Sequence, residues 1–136
     1  MRNIEVVAAL IVRDGNILAT QRGYGEFKGK WEFPGGKIEE NESREEALKR
    51  EIMEEMHAKI NVGDYLTTVE YDYPNFHLTM HVYICSLEDE LEFVYHSDGV
   101  LEHENMIWLD RDDMYDVDWL PADIKVVDAY KKTLKK

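Results

Sequence analysis

Val and Ile crowd the segment from Ile4 to Val12, where Glu5 is the one polar interruption. Such a run predicts a strand buried on both faces. Arg13-Asp14-Gly15-Asn16 follows, and an Asp-Gly step between two apolar runs is a strong hairpin signal, so Ile17 to Arg22 returns as a second strand. Gly23 to Lys30, with glycines at 23, 25 and 29, reads as a polar loop. Trp31 to Phe33 reads as a short extended piece stopped by Pro34-Gly35-Gly36.

The pattern then changes period. Leu48, Ile52 and Met56 recur every four residues, an apolar stripe for a helix packed on a core. Ser43-Arg44-Glu45-Glu46 supplies its start as a capping box, and the end falls near His57. Lys59 to Glu70 and Phe76 to Ser86 predict strands joined by a Tyr71-Asp72-Tyr73-Pro74-Asn75 loop, with Leu78, Met80, Val82 and Ile84 alternating onto one half-buried face. Glu92 to Tyr95 and Met106 to Leu109 are further short strands, and Asp110 to Asp118 is loop with a helical turn. A closing helix starts around Pro121, turns Ile124, Val127, Tyr130 and Leu134 inward, and ends in Lys131, Lys132, Lys135 and Lys136, where cations oppose the helix dipole.

At 136 residues and 44% hydrophobic, the chain makes one domain, 1–136, with a core that needs no staples. No apolar run approaches the roughly 18 residues that span a bilayer. Sixteen Lys+Arg against 29 Asp+Glu leave a net charge of −13, which argues against long nucleic acids as partners. An acidic balance leaves two readings, a solvated surface or a cation site built of carboxylates. The single cysteine, Cys85, excludes an internal disulfide and reads as a buried structural thiol; with no leader-like segment, a cytoplasmic protein is expected.

The carboxylates have a spacing. On a helix Glu51, Glu54 and Glu55 fall within about 100° of arc, beside the Leu48/Ile52/Met56 stripe. Three carboxylates crowded there repel one another unless a hard cation such as Mg²⁺ or Mn²⁺ joins them, and Arg50 stands one turn before Glu54 to pin one of them. His77 and His81 form an H-x₃-H, but on a strand they stand about 13 Å apart, too far for one metal.

Gly36, Glu42, Arg50-Glu51-Ile52 and Glu54-Glu55 stand at the intervals of the Nudix box: Gly, five residues, Glu, seven residues, Arg-Glu-aliphatic-any-Glu-Glu. The chain therefore resembles a Nudix hydrolase. It departs from the pattern at His57, where the box expects a glycine. Trp31 to Glu39, Glu70 to Pro74, Glu102-His103-Glu104 with Trp108, and Trp119 to Asp123 resemble the MutT-like and CTP-pyrophosphohydrolase branch.

The resemblance implies an α+β fold, an α/β/α sandwich with a mixed β-sheet between helices. It implies Mg²⁺-dependent hydrolysis (Mn²⁺ serving as well) of a nucleoside triphosphate to a monophosphate and pyrophosphate. By matching position Glu51, Glu54, Glu55 and the Gly35 carbonyl hold metal, and Glu102 is a ligand or base. Gly36 and Glu42 are structural members of the box, Arg50 serves catalysis by pinning Glu54, and Glu54→Gln is expected nearly to abolish turnover. Arg22 and Lys37 match phosphate-binding positions and, with Lys28 and Lys30, make a local positive island.

Phe33 and Phe76 are candidates to line the pocket and stack on the base. Asp123 is either a first-turn acid favoured by the helix dipole or a base reader; ionised, it accepts from cytosine's amine or from guanine N–H groups. CTP, dCTP and 8-oxo-dGTP all remain in play, as do another diphosphate-linked substrate and a non-catalytic nucleotide sensor. Sensors tend to lose box carboxylates, and here Glu42, Arg50, Glu51, Glu54 and Glu55 are all present. The expected partner is a small nucleotide, with no nucleic-acid polymer and no membrane; the sequence determines neither the sugar nor the oligomeric state.

Overall fold

The computed structural model describes residues 2–92 and 101–134. Its elements are β1 (Arg2–Arg13), β2 (Asn16–Arg22), β3 (Trp31–Glu32), β4 (Gly35–Lys37), α1 (Arg44–Met56), β5 (Ile60–Tyr73), β6 (Phe76–Leu87), β7 (His103–Leu109) and α2 (Pro121–Leu134). The strands run β3-β2-β1-β6-β5, with β4 on β1 and β7 on β2. The sheet is mixed: β1 and β6 pair in parallel from Arg2↔Phe76 to Ile11↔Cys85, and β5 returns antiparallel to β6.

The apolar run of β1 has a direct structural reason. Ala8 and Leu10 enter one core with Val82, Val126 and Val127, while Val7, Ala9 and Ile11 enter a second with Leu48, Ile52 and Met56. One strand thus feeds both layers, with α1 against one core and α2 against the other, as an α/β/α sandwich requires. Asp14 (φ 52°) and Gly15 (φ 81°) form the tight turn that starts β2, both in the left-handed conformation of a two-residue hairpin.

Three expectations change. Gly35-Gly36 does not merely stop the chain, because with Lys37 it forms β4 on β1, in register Val7↔Gly36 and Ala8↔Gly35. A side chain at Gly35 would collide with the Val7 carbonyl, so only glycine lets the strands come this close. The β5–β6 connection is two residues, Pro74-Asn75, since Tyr71↔Leu78, Asp72↔His77 and Tyr73↔Phe76 continue the ladder almost to the tip. On α2, Ile124 is 40% exposed, and the inward positions are Ala122, Asp123, Val126, Val127 and Tyr130.

Both ends of α1 follow the sequence closely. Ser43 Oγ accepts from the Glu46 N–H at 3.1 Å and Glu46 Oε1 from the Ser43 N–H at 2.9 Å. His57 caps the C-terminus in the left-handed conformation (φ 50°), its N–H bonded to the Met53 carbonyl. A β-carbon there costs on the order of 1 kcal/mol against glycine. The Glu92 N–H satisfies the Met56 carbonyl, so the chain just after β6 also seals this helix end. Most of the strand expected over Glu92 to Tyr95, and Lys135 and Lys136, lie outside the described residues. Asp110 to Asp118 forms successive turns, with N–H groups of Asp113 and Asp116 bonded to the carbonyls of Asp110 and Asp113. His77 and His81 both lie on β6. Cys85 is buried, which pushes its thiol up to about 12 and leaves it inert. Among the described residues no helix is long and apolar enough to cross a membrane.

Candidate active site

A cavity of about 340 Å³ opens between β1, the β3–β4 segment, one edge of α1 and the start of α2. Its volume suits a small ligand. Arg22, Gly35, Gly36, Lys37, Glu51, Glu55, Glu102 and His103 are among its polar lining, and Phe33, Tyr73, Phe76, Leu78 and Met80 are among its apolar lining, with Asp123 also on the wall.

Helical phase separates Glu51, Glu54 and Glu55 of α1. Glu51 and Glu55, one turn apart, face the cavity, whereas the Glu54 side chain is 57% exposed and does not line it. Arg50 organises this end from behind. Its guanidinium grips both oxygens of Glu42 (2.7 and 3.0 Å), the Lys37 carbonyl (2.9 Å), Glu51 (2.9 Å) and Glu54 (3.2 Å). The β4–α1 connection is thereby tied to the helix that carries the carboxylates, and the Glu42 carboxyl is held below its ordinary range by the Arg50 hydrogen bond.

Glu55 is the most unusual of these groups. It is buried, and its Oε2 has no hydrogen-bond partner among the described residues. Burial, then the charges of Glu102 and Glu51, push its carboxyl well above the ordinary carboxylate range. An orphaned buried oxygen costs about 1–3 kcal/mol. It persists where another species supplies the missing contact.

Gly36 sits against Glu51, and a β-carbon there would overlap the Glu51 carboxylate. Two neighbouring glycines therefore predict different losses. Gly36→Ala displaces the end of a flexible side chain, so activity should fall at least tenfold with a small change in melting temperature. Gly35→Ala meets backbone and should destabilise the fold by about 1–3 kcal/mol, the usual cost of overpacking. Thermal melting beside turnover separates the two, and equal destabilisation would contradict this account.

The positive island is smaller than the sequence implies. Arg22 is held bidentately by Glu32 (2.7 and 3.0 Å), and Lys30 is paired with Asp118 at 2.7 Å. Lys28 is exposed in the loop, while Lys37 lines the cavity. The Arg22 guanidinium also lies 5.4 Å over the Tyr24 ring.

In the apolar lining Phe33 stacks on Trp119 (4.6 Å between centroids) and Phe76 on Tyr73 (5.1 Å). Asp123 is buried, and its Oδ1 accepts the Phe33 N–H at 2.9 Å. Burial, then the neighbouring Glu32, raises its carboxyl well above the usual value. Burial therefore works against the ionised form, and a carboxyl that holds its proton can donate as well as accept.

Glu32, Tyr24, Phe27, Tyr73 and His103 also line the cavity and were not singled out by sequence reasoning. Glu32 is the clearest case. Its partner Arg22 lies ten residues away on β2, a pairing only the β2–β3 register reveals.

A mixed sheet between two helices, with an arginine-pinned glutamate helix at the edge of a closed-in cavity, is the architecture of Nudix hydrolases. The NUDIX domain model matches residues 1–130, and the chain belongs to that family. It is 34% identical over 143 residues to the CTP pyrophosphohydrolase of Escherichia coli K12, covering 96% of this chain and 93% of that protein. An 8-oxo-dGTP diphosphatase of Proteus vulgaris is 35% identical over 85 residues, 61% of this chain and 76% of its own. The crystal structure of a MutT NUDIX hydrolase from Burkholderia pseudomallei superimposes with a TM-score of 0.82 at 29% identity, covering 95% of this chain and 98% of that one.

Nudix hydrolases generally use divalent metal ions, and the residues present fit one. Glu51, Glu55 and Glu102 offer carboxylate oxygens, as a hard cation prefers, and the unpartnered Glu55 Oε2 lies buried beside the cavity with Glu51 one turn away. Among the described residues no three His, Cys, Asp or Glu side chains are already drawn together into a cage. Glu54 would have to swing inward from its contact with Arg50 to take part.

Proposed function

We propose that this enzyme hydrolyses a nucleoside triphosphate to the monophosphate and pyrophosphate, with cytosine nucleotides as the preferred class. The observation carrying the proposal is that one cavity is lined both by Glu51, Glu55 and Glu102 and by Phe33, Tyr73, Phe76 and Asp123. Polyphosphate and base thus each have chemically suited lining. When bound, Mg²⁺ or Mn²⁺ neutralises the polyphosphate and acidifies water for attack. Glu51, Glu55 and the Gly35 carbonyl would hold the ions, with Glu54 joining by rotation about its side chain. Glu102, on the cavity wall, takes the proton of the attacking water or adds a ligand oxygen. Arg50 orients Glu51 and Glu54, and Arg22 and Lys37 face the phosphates.

At the base end, the Phe33 N–H fixes Asp123 Oδ1 as an acceptor and leaves Oδ2 to carry the proton. An acceptor beside an O–H donor matches cytosine's amine and its ring N3. The similarity to a CTP pyrophosphohydrolase over nearly the full length supports this preference. A second reading, an oxidised purine such as 8-oxo-dGTP, is favoured by similarity to several 8-oxo-dGTP diphosphatases.

A panel of the four NTPs, four dNTPs, 8-oxo-dGTP and 5-methyl-dCTP with Mg²⁺ tests this, pyrophosphate and phosphate being measured separately. We expect pyrophosphate release with kcat/KM at least tenfold higher for cytosine nucleotides. A higher value for 8-oxo-dGTP would replace the cytosine reading with the second one. Phosphate as the product, or no turnover, would overturn the reaction itself.

A further inference from the structure

Beside Glu55 on the cavity wall stands a histidine that has no role in the proposed reaction. His103 opens β7, is 2% exposed, and pairs across the ladder with Arg22, where the β2–β7 register shifts. Its Nε2 lies 3.5 Å from Glu55 Oε1 and 3.8 Å from Glu32 Oε2. One imidazole edge therefore bridges a carboxylate of the helix and a carboxylate of the sheet. Glu32 is itself held on both oxygens by Arg22, so this side of the bridge is fixed.

The two oxygens of Glu55 are consequently unequal. Oε1 faces His103, and Oε2 is buried without a hydrogen-bond partner among the described residues. We infer that His103 is a positioning residue: it engages Glu55 Oε1 and so presents Oε2, as a single oxygen, to a divalent cation. This rests on the reading of Glu55 as a metal ligand. A carboxylate free to rotate in a buried site loses affinity by offering its oxygens in several orientations. A neighbour that fixes it recovers that affinity, and removing such partners typically costs 10–100-fold in metal binding. The same imidazole lies 3.8 Å from Glu32, so the Arg22–Glu32 pair flanks it on the side away from Glu55.

Mn²⁺ binding without nucleotide, followed by the EPR signal of the free ion, tests the assignment independently of turnover. The proteins are the wild type, Glu55→Gln, His103→Leu, His103→Asn and His103→Gln, each checked by thermal melting. Glu55→Gln and His103→Leu should each weaken Mn²⁺ on the order of tenfold. His103→Gln places an amide N–H near the site of Nε2 and should recover most of the affinity, whereas the shorter His103→Asn should not. A merely structural role would not separate these two amides at equal melting temperature.

Wild-type affinity in folded His103→Leu, with Glu55→Gln weakened, would overturn the role of His103 and leave Glu55 as a ligand. Unchanged affinity in Glu55→Gln, or no Mn²⁺ binding by the wild type, would overturn the reading of Glu55 itself. Should His103→Leu fail to fold, equal affinities of His103→Asn and His103→Gln would overturn the inference.

Discussion

Glu55→Gln should lower kcat by about a thousandfold or more, with the fold intact. The size of the effect follows from three features of one side chain. It is buried at the cavity wall, its Oε2 has no hydrogen-bond partner among the described residues, and its carboxyl is pushed up by burial ahead of Glu102 and Glu51. A group in that position is costly to the free protein, and a cation removes the cost. Losing it removes a ligand, and single groups that stabilise charge in a transition state are worth about 10²–10³ each. Ion binding is weakened as well. The amide keeps the size of the side chain and can still face His103, so packing survives. Mg²⁺ should raise the melting temperature of the wild type, as any ligand of the native state does, and that rise should shrink sharply in Glu55→Gln. Glu54→Gln is expected to cost less than sequence alone implies, because Glu54 is largely exposed and outside the cavity lining. Turnover within tenfold of wild type in folded Glu55→Gln would remove Glu55 from the metal site.

The unequal standing of three neighbouring glutamates marks where the sequence ceases to be legible. Local signals carry far: the Asp14-Gly15 hairpin, the Ser43/Glu46 box and the left-handed cap at His57 all stand where spacing and residue chemistry place them. Each involves residues within four positions of one another, so short-range physics decides them. Helical periodicity places Glu51, Glu54 and Glu55 on one broad arc. It does not say that sheet and loop will bury Glu55, shelter Glu51 and leave Glu54 in solvent.

The errors share a cause. Tyr73↔Phe76 extends a ladder that local composition reads as loop, since cross-strand aromatic pairing outweighs the turn signals. Gly35-Gly36 reads as a chain break because the strand that needs its missing β-carbons, β1, lies nearly thirty residues earlier. Glu32 and His103 belong to the cavity through partners ten and 48 or more residues away, and no window along the chain contains both members of either pair. The phase of α2 fails for a more instructive reason. The inward positions 122, 123, 126, 127 and 130 follow a helical row, but one of the first two is taken by an aspartate. A search for apolar residues passes over it and selects Ile124. A carboxylate in a core position is itself the functional signal.

That carboxylate supports the last expectation. Asp123→Asn should be more stable than the wild type at neutral pH, by a margin that vanishes in acid. An acid whose native pKa lies above its ordinary value near 3.8 keeps its proton in the fold after the unfolded chain has lost it. Below that ordinary value both states are protonated and no difference exists. As pH rises from there towards the native pKa, the unfolded state is favoured, and wild-type stability falls relative to the variant. The margin then levels off. In a chain of 136 residues each kcal/mol corresponds to about 3–5 °C, so melting curves resolve it.

Asparagine keeps an oxygen for the Phe33 N–H and replaces the O–H by an amide N–H, which does not titrate. Towards cytosine it imitates the protonated acid. The variant should therefore retain cytosine turnover, and the ratio of wild-type to variant kcat/KM should fall as pH passes through the native pKa of Asp123. Asp123→Leu has neither group and should lose about 10²-fold or more of kcat/KM for cytosine nucleotides, because the base's polar edge is then buried unpaired. Effects of pH on the metal end cancel in the ratio, since both proteins share it. A ratio flat with pH, together with an unchanged difference in melting temperature, would mean that Asp123 is ionised throughout and that an acceptor alone reads the base. A pH-dependent melting difference with a flat activity ratio would place the titrating carboxyl in the core and free the base from contact with it.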